Sequence, residues 1–369
     1  VSDGSPVRDE DAFDVEALAQ WLRDNASGEP GLDGVPEVRQ FTGGASNLTY
    51  LLRYAGRDLI LRRPPSGTKA KGAHDMRRES DIQASLGRVL DTVPRIVAYC
   101  GDESVIGSEF YVMERIDGTI LRRDIPDSLG MTSEDVNLLC RNALDTLVAL
   151  HSVDVEAAGL GHLSRGPGYV ERQVSGWSAR LRKARTPDVG SFDSTMAWLA
   201  EHQPDDVAQV LIHNDFRFDN LVLDPADPTR VVGILDWEMA TVGDPLMDLG
   251  GAMAYWIEAD SDPVAKRLRL QPTHERGMLG RVEAVRYYCA AMGIEMDARR
   301  WAFYEVFGLF RLAVIAQQIY LRSYRGETHN PKAKQMRWLV RYLDLRCRWL
   351  IARYRWQERR AGSRAKGGR

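Results

Sequence analysis

Cysteine is scarce in this 369-residue chain: there are four, Cys100, Cys140, Cys289 and Cys347. No pair has metal-ligand or redox-motif spacing, so the thiols read as reduced and mostly buried, as in a cytosol. Long apolar runs are missing too. None reaches membrane-spanning length, and the acidic N-terminus lacks the apolar stretch of a signal peptide, so the expectation is a cytoplasmic protein without a membrane span. Without a secretory signal, the sequons at Asn25 and Asn47 carry no meaning as glycosylation sites. Excess charge is also lacking. A net charge of −3 argues against a general nucleic-acid binder.

What is present is the content of a soluble globular protein, 44% hydrophobic and 27% charged. The length suits two or three domains or one two-lobed enzyme. The charge is unevenly spread. Residues 1–40 carry ten acidic and three basic side chains, and residues 341–369 carry two acidic and ten basic ones. That basic end reads either as a solvated helix with a frayed terminus or as a site for an anionic partner or surface.

Asp11 to Asn25 reads as a helix with Val15, Leu18 and Leu22 on one face. Val38–Phe41, Leu48–Tyr54 and Asp58–Arg62 read as three short strands, Asp75–Leu86 as a helix, and Val93–Cys100 and Glu109–Glu114 as two more strands. The turn between the first two strands holds Gly43, Gly44, Ser46 and Asn47. It suits close backbone approach to a ligand or a plain hairpin. Strand alternation sends Ile60 and Arg62 to one face and Leu59, Leu61 and Arg63 to the other, so one arginine can face a phosphate. Glu79 is either that arginine's partner or a surface acid. Thr132–Val153 has the strongest helical periodicity, and its His151 reads as a helix-end capping group. Arg165, Arg172, Arg180, Arg182, Lys183 and Arg185 suit an anionic acceptor or a solvated helix face. Three helices close the chain, at about 279–292, 297–324 and 331–357.

The most informative stretch is His213-Asn214-Asp215-Phe216-Arg217-Phe218-Asp219-Asn220, followed sixteen residues after Asn220 by Asp236. Apolar runs flank a turn-rich segment, Asp224 to Arg230, so Leu221–Leu223 and Val231–Leu235 read as a hairpin. Such a hairpin brings Asn220 and Asp236 to the same end. An acid that can act as a base beside two oxygen ligands fits phosphoryl transfer with magnesium.

The H-x-D-x-x-x-x-N stretch, the later aspartate and the strand-rich start resemble the aminoglycoside phosphotransferase and choline kinase-like family, over roughly residues 35–325. GGASNLTY and LRRPP look most like the branch whose kinase domains occur fused to acyl-CoA dehydrogenases. The resemblance implies an α+β, bilobal protein kinase-like fold: a strand-rich N-lobe at 1–115, a larger, mostly helical C-lobe at 116–357 and a basic flexible tail at 358–369. It implies an ATP- or GTP-dependent phosphotransferase acting on a small-molecule hydroxyl, aminoglycoside-like or hydroxyacyl-type. The alternative is a regulatory pseudokinase that binds nucleotide without phosphotransfer.

Carried over residue by residue, Asp215 is the catalytic base, Arg217 steadies the moving phosphoryl group and His213 supports the catalytic loop. Asn220 and Asp236 hold Mg2+, Glu238 assists them, and Asp248 hydrogen-bonds the loop. Gly43, Gly44, Ser46 and Asn47 cover the nucleotide. Glu79 is the helix glutamate, and Glu114 and Ile116 lie in the hinge. The family's third-strand lysine is replaced here by Arg62 or Arg63, which keeps the charge and adds a bidentate fork.

Overall fold

The structure is a computed structural model that describes residues 3–41, 47–65, 75–328 and 330–367. Its elements begin with α1 (Val15–Asn25), β1 (Glu37–Phe41), β2 (Leu48–Tyr54), β3 (Arg57–Arg63), α2 (Met76–Leu86), β4 (Ile96–Cys100) and β5 (Phe110–Glu114). Next come α3 (Ser133–His151), α4 (Tyr169–Ala184), α5 (Asp193–His202), β6 (Val210–Ile212), β7 (Leu221–Leu223), β8 (Val231–Ile234) and β9 (Thr241–Gly243). The chain closes with α6 (Pro245–Met253), α7 (Pro263–Leu268), α8 (Arg281–Ala291), α9 (Ala298–Tyr324) and α10 (Pro331–Gly367).

Two compact units result. The first comprises Val1–Ile120, Glu156–Leu160 and Asp219–Ala240, and the second Leu121–Val155, Gly161–Phe218 and Thr241–Arg369. This differs from a linear division at residue 115, because the β7–β8 hairpin belongs with the N-terminal segment. The Thr119 N–H donates to the Leu223 carbonyl at 2.9 Å, the Leu223 N–H donates back at 2.8 Å, and the Ile234 N–H reaches the Thr92 carbonyl at 2.7 Å. Gly118 permits this approach, since a Cβ there would sit 2.1 Å from the Leu223 oxygen.

The first unit is built on a five-stranded antiparallel sheet of order β1-β2-β3-β5-β4. Strand alternation gives it two apolar faces. Leu52, Leu59, Leu61 and Val112 pack with Leu18 and Leu22 of α1. Leu51, Ile60, Tyr111 and Met113 pack with Met76 of α2. α1 begins at Val15, later than the expected Asp11, because Asp14 caps it by accepting the Ala17 N–H at 2.9 Å. Asp11 closes a preceding 3-10 turn and is buried against Gln40, which donates to it at 2.8 Å.

The second unit is helical around α9. Gly250 of α6 and Gly308 of α9 meet so closely that a Cβ on Gly308 would lie 2.1 Å from the Gly250 carbonyl oxygen. α9 is long and apolar enough to cross a membrane by length and composition, yet 72% of that window is buried within the protein. It is a core helix. α10 runs to Gly367, so residues 358–367, expected as a flexible tail, continue the helix. The local sequence there is rich in Arg, Ala and Lys, which favour it.

Candidate active site

In the second unit, β6 pairs antiparallel with β9 and delivers the chain into His213–Arg217. Asp248, in the first turn of α6, holds that loop. Its carboxylate accepts the His213 N–H at 2.7 Å and the Asn214 N–H at 2.8 Å, and its Oδ2 lies 3.1 Å from His151 Nε2. The other His151 nitrogen meets the Tyr288 hydroxyl. Burial pushes the Asp248 carboxyl up, but His151, His213 and the backbone amide outweigh it and hold the group below its ordinary value. His151 is therefore a buried anchor of the loop; the helix-end position itself belongs to Ser152.

The loop is held at other points too. Asn214 adopts a left-handed conformation, φ 65°, uncommon for a residue other than glycine. Arg311 donates to its carbonyl at 2.5 Å and the Tyr169 hydroxyl to its side-chain oxygen at 3.3 Å. The Asp215 N–H donates to His213 Nδ1 at 3.2 Å, which assigns the His213 proton to Nε2. The Asp215 carboxylate stays partly open, its side chain 24% exposed, and pairs with Arg217 Nε at 3.2 Å. Arg217 lies over the Tyr255 ring at 4.7 Å. Tyr255 also lines a cavity of about 310 Å³ within this unit, together with Trp256, Glu258, Arg281, Tyr342 and Trp349.

In the first unit, the hairpin pairs Leu221 with Ile234, and the Leu235 N–H donates to the Asn220 carbonyl at 2.8 Å. Asn220 and Asp236 thus stand at one end of the hairpin. Asp236 is also left-handed, φ 69°, a backbone state that costs energy and tends to occur at functional positions. Trp237 beside it is fully buried and donates from Nε1 to the Ile234 carbonyl at 2.9 Å.

Arg62 joins α2 to Asp236. One guanidinium nitrogen is 2.6 Å from Glu79 Oε1, and the other 3.0 Å from Asp236 Oδ1. The Tyr111 hydroxyl donates to the same Glu79 oxygen at 2.8 Å. Burial acts to lower the Arg62 pKa; Tyr111, Glu79 and Asp236 reverse this and raise it above its ordinary value. A guanidinium that keeps its proton opposes the burial that pushes the Glu79 carboxyl above its ordinary value. Arg63 faces the other way. It is buried on the α1 side, donating to the Asp11 carbonyl at 2.6 Å and the Tyr50 hydroxyl at 3.1 Å, with its guanidinium over Phe13. Only Arg62 of the two meets the Asp236 carboxylate.

Asn47 donates to Glu238 Oε2 at 3.2 Å and lies 3.5 Å from Glu79 Oε2. Arg78 donates to the Glu238 and Ala240 carbonyls. Gly43, Gly44 and Ser46 lie outside the described residues. In the expected hinge, the Glu114 N–H donates to the Arg95 carbonyl at 2.9 Å, and its side chain pairs with Arg57 at 2.6 Å and Arg95 at 2.7 Å. Ile116 packs on Gly233 of β8, where a Cβ would meet its Cδ1 at 2.8 Å. In the 165–185 group, Arg172 donates to the Gly166 and Pro167 carbonyls, Arg180 covers Trp177 and Arg185 pairs with Asp193. These contacts are local and hold α4. The loop supports His151, Arg311, Tyr169 and Tyr255 were not singled out by the motif. His151, Tyr169 and Arg311 come from α3, α4 and α9 and Tyr255 from the turn after α6, all remote in sequence, and no local spacing marks them.

A family model described as the phosphotransferase enzyme family matches residues 37–280. The chain belongs to that family. Acyl-CoA dehydrogenase family member 10 of Mus musculus is 34% identical over 89% of the chain and 30% of its own length. The chain spans less than half of the curated relatives it matches. A solved candidate aminoglycoside phosphotransferase from Ralstonia eutropha is 29% identical, with a TM-score of 0.76 over 93% of this chain and 99% of that one. A thermostable mutant of aminoglycoside phosphotransferase APH(4)-Ia, solved in ternary complex with AMP-PNP and hygromycin B, shares the fold at 15% identity. Its TM-score is 0.57 over 91% of this chain and 98% of that one. The kinase-like α+β fold implied by the family is the fold of this chain.

Proposed function

We propose that the chain transfers the γ-phosphoryl group of ATP or GTP to a hydroxyl of a small molecule, with Asp215 as the base. The observation that carries this is the Asp248 clamp. It fixes the His213 and Asn214 amides and leaves the Asp215 carboxylate partly open, held by Arg217. In phosphoryl transfer the nucleophile's proton leaves late, so a positioned carboxylate is sufficient to take it. Arg217 offers a forked cation to the transferred group.

Asn220 and Asp236 offer an amide and a carboxylate oxygen from one hairpin end, and an all-oxygen donor set suits Mg2+. Asp236 already faces a cation, Arg62. Mg2+ bound there would neutralise phosphate charge. Arg62 would turn its fork from Asp236 to the phosphates, while Glu79 keeps it extended along α2. The backbone from Glu114 to Ile116 would meet the purine, and the stretch from Gly43 to Asn47 would cover the nucleotide.

For the acceptor we carry forward both the hydroxyacyl and the aminoglycoside-like types. The cavity beside Tyr255 is lined by Arg281, Arg346 and Arg353 but also by Glu258, Asp260, Asp262 and Glu305, and Arg281 is already paired with Glu258 and Glu305. The test is acceptor-dependent release of ADP or GDP with hydroxyacyl thioesters, aminoglycosides and choline-like alcohols. Asp215→Ala should abolish release with nucleotide binding retained; a variant that keeps its rate removes Asp215 from the base role. The Arg62–Asp236 contact favours a second reading, a nucleotide-binding regulatory module. Magnesium-dependent release with any acceptor would eliminate it.

A further inference from the structure

The closing helix has an exposed face that extends well beyond the cavity beside Tyr255, to which that face contributes Arg346, Trp349 and Arg353. Val340, Leu343, Cys347, Leu350 and Ile351 are buried on one side of α10, which packs on α9. On the opposite side stand Trp338, Leu345, Trp349 and Trp356, exposed by 58%, 66%, 50% and 55%. At 3.6 residues per turn these four fall within an arc of about 40° and run for about 27 Å. Among the described residues they include every exposed tryptophan.

The stripe is flanked by arginines: Arg341, Arg348 and Arg355 along one edge, Arg346 and Arg353 along the other. Between residues 332 and 356 there are eight basic side chains and one acid, in a chain of net charge −3. That acid, Asp344, is buried and paired with Arg348 at 2.8 Å. Guanidinium groups lie over the indoles, Arg337 and Arg341 at 4.8 and 5.2 Å from Trp338, Arg346 and Arg353 at 5.1 and 5.5 Å from Trp349.

We propose that α10 lays this stripe on an anionic lipid surface. Indoles beside arginines match the headgroup level of a bilayer, where Trp anchors and basic side chains meet lipid charge. A second copy of the helix would set arginine edge against arginine edge. Base stacking would compete with guanidinium groups for the indole faces.

The test is co-sedimentation of the whole chain with vesicles of phosphatidylcholine alone or with about 30% phosphatidylserine. Quenching of Trp fluorescence by brominated lipid is read in parallel. The expected result is at least about tenfold tighter binding to the anionic vesicles, with quenching, weakening several-fold between about 0.1 and 0.5 M salt. Trp338→Ser with Leu345→Ser and Trp356→Ser should lose more than about tenfold of that binding while circular dichroism shows an intact fold. If the triple variant does not fold, Arg341→Gln with Arg355→Gln carries the test by bringing binding down to the neutral-vesicle level. Failure of the wild type to sediment with anionic vesicles, binding unchanged in the folded variants, or equally tight binding to polyglutamate or RNA would overturn the proposal.

Discussion

Replacing Arg62 with alanine tests how the first unit is wired. The Arg62 and Glu79 side chains are 10% and 1% exposed, and their charged atoms are 2.6 Å apart. Removing one partner of a buried pair costs about 3–5 kcal/mol, because the other charge is stranded. The stranded group here is Glu79, which burial already pushes up and Arg62 opposes. Without Arg62, Glu79 takes a proton at higher pH than it does unfolded. An acid whose folded pKa is raised adds stability below its unfolded value near 4.5. That stability is lost as pH rises through the folded pKa. The variant should therefore lose more stability at pH 8 than at pH 5. Adding Glu79→Gln should restore part of the loss at pH 8 and flatten its pH dependence. Urea unfolding followed by circular dichroism across that range is the assay. A loss that does not vary with pH, or is deepened by Glu79→Gln, would refute the stranded-charge reasoning.

Other changes probe other joints. Asp248→Asn should cost about 2–4 kcal/mol, since two backbone amides and His151 lose a charged acceptor; nucleotide turnover should fall with it, and denaturation and ADP-release assays read the two. Arg95, against the opposing effect of burial and with help from Arg57, holds the Glu29 carboxyl at about 2, below its ordinary 4.5. A depressed carboxyl stabilises above its unfolded pKa and loses that contribution as pH falls toward its folded one. With Arg95 53% exposed, Glu29→Gln should cost about 1 kcal/mol at pH 7, less at pH 3 and below, seen by urea melts at each pH. Gly308→Ala should lower stability by about 1–3 kcal/mol, measured as a fall in Tm, because its Cβ would strike the Gly250 carbonyl.

The local signals in the sequence carried far. Turn residues between two apolar runs located the hairpin, and its register sets Asn220 and Asp236 at one end. Alternation separated Arg62 from Arg63 but was silent on which face was which. That depended on α1 covering one face of the sheet and α2 the other. His151 read as a cap because its true partner, Asp248, is 97 residues away, a contact no local pattern encodes. The placement of residues 219–240 with the N-terminal segment rests on the Thr119–Leu223 bridge, equally invisible to periodicity. α10 was expected to stop at 357 where charge accumulates, yet its composition continues the helix to Gly367.

The most direct test of the central claim compares wild type with Asp215→Asn under saturating Mg2+ and nucleotide, following acceptor phosphorylation by phosphorus NMR. The account predicts acceptor-dependent phosphate transfer in the wild type and a loss of at least about a hundredfold in the variant, with nucleotide affinity unchanged. Transfer at the wild-type rate by Asp215→Asn would contradict it.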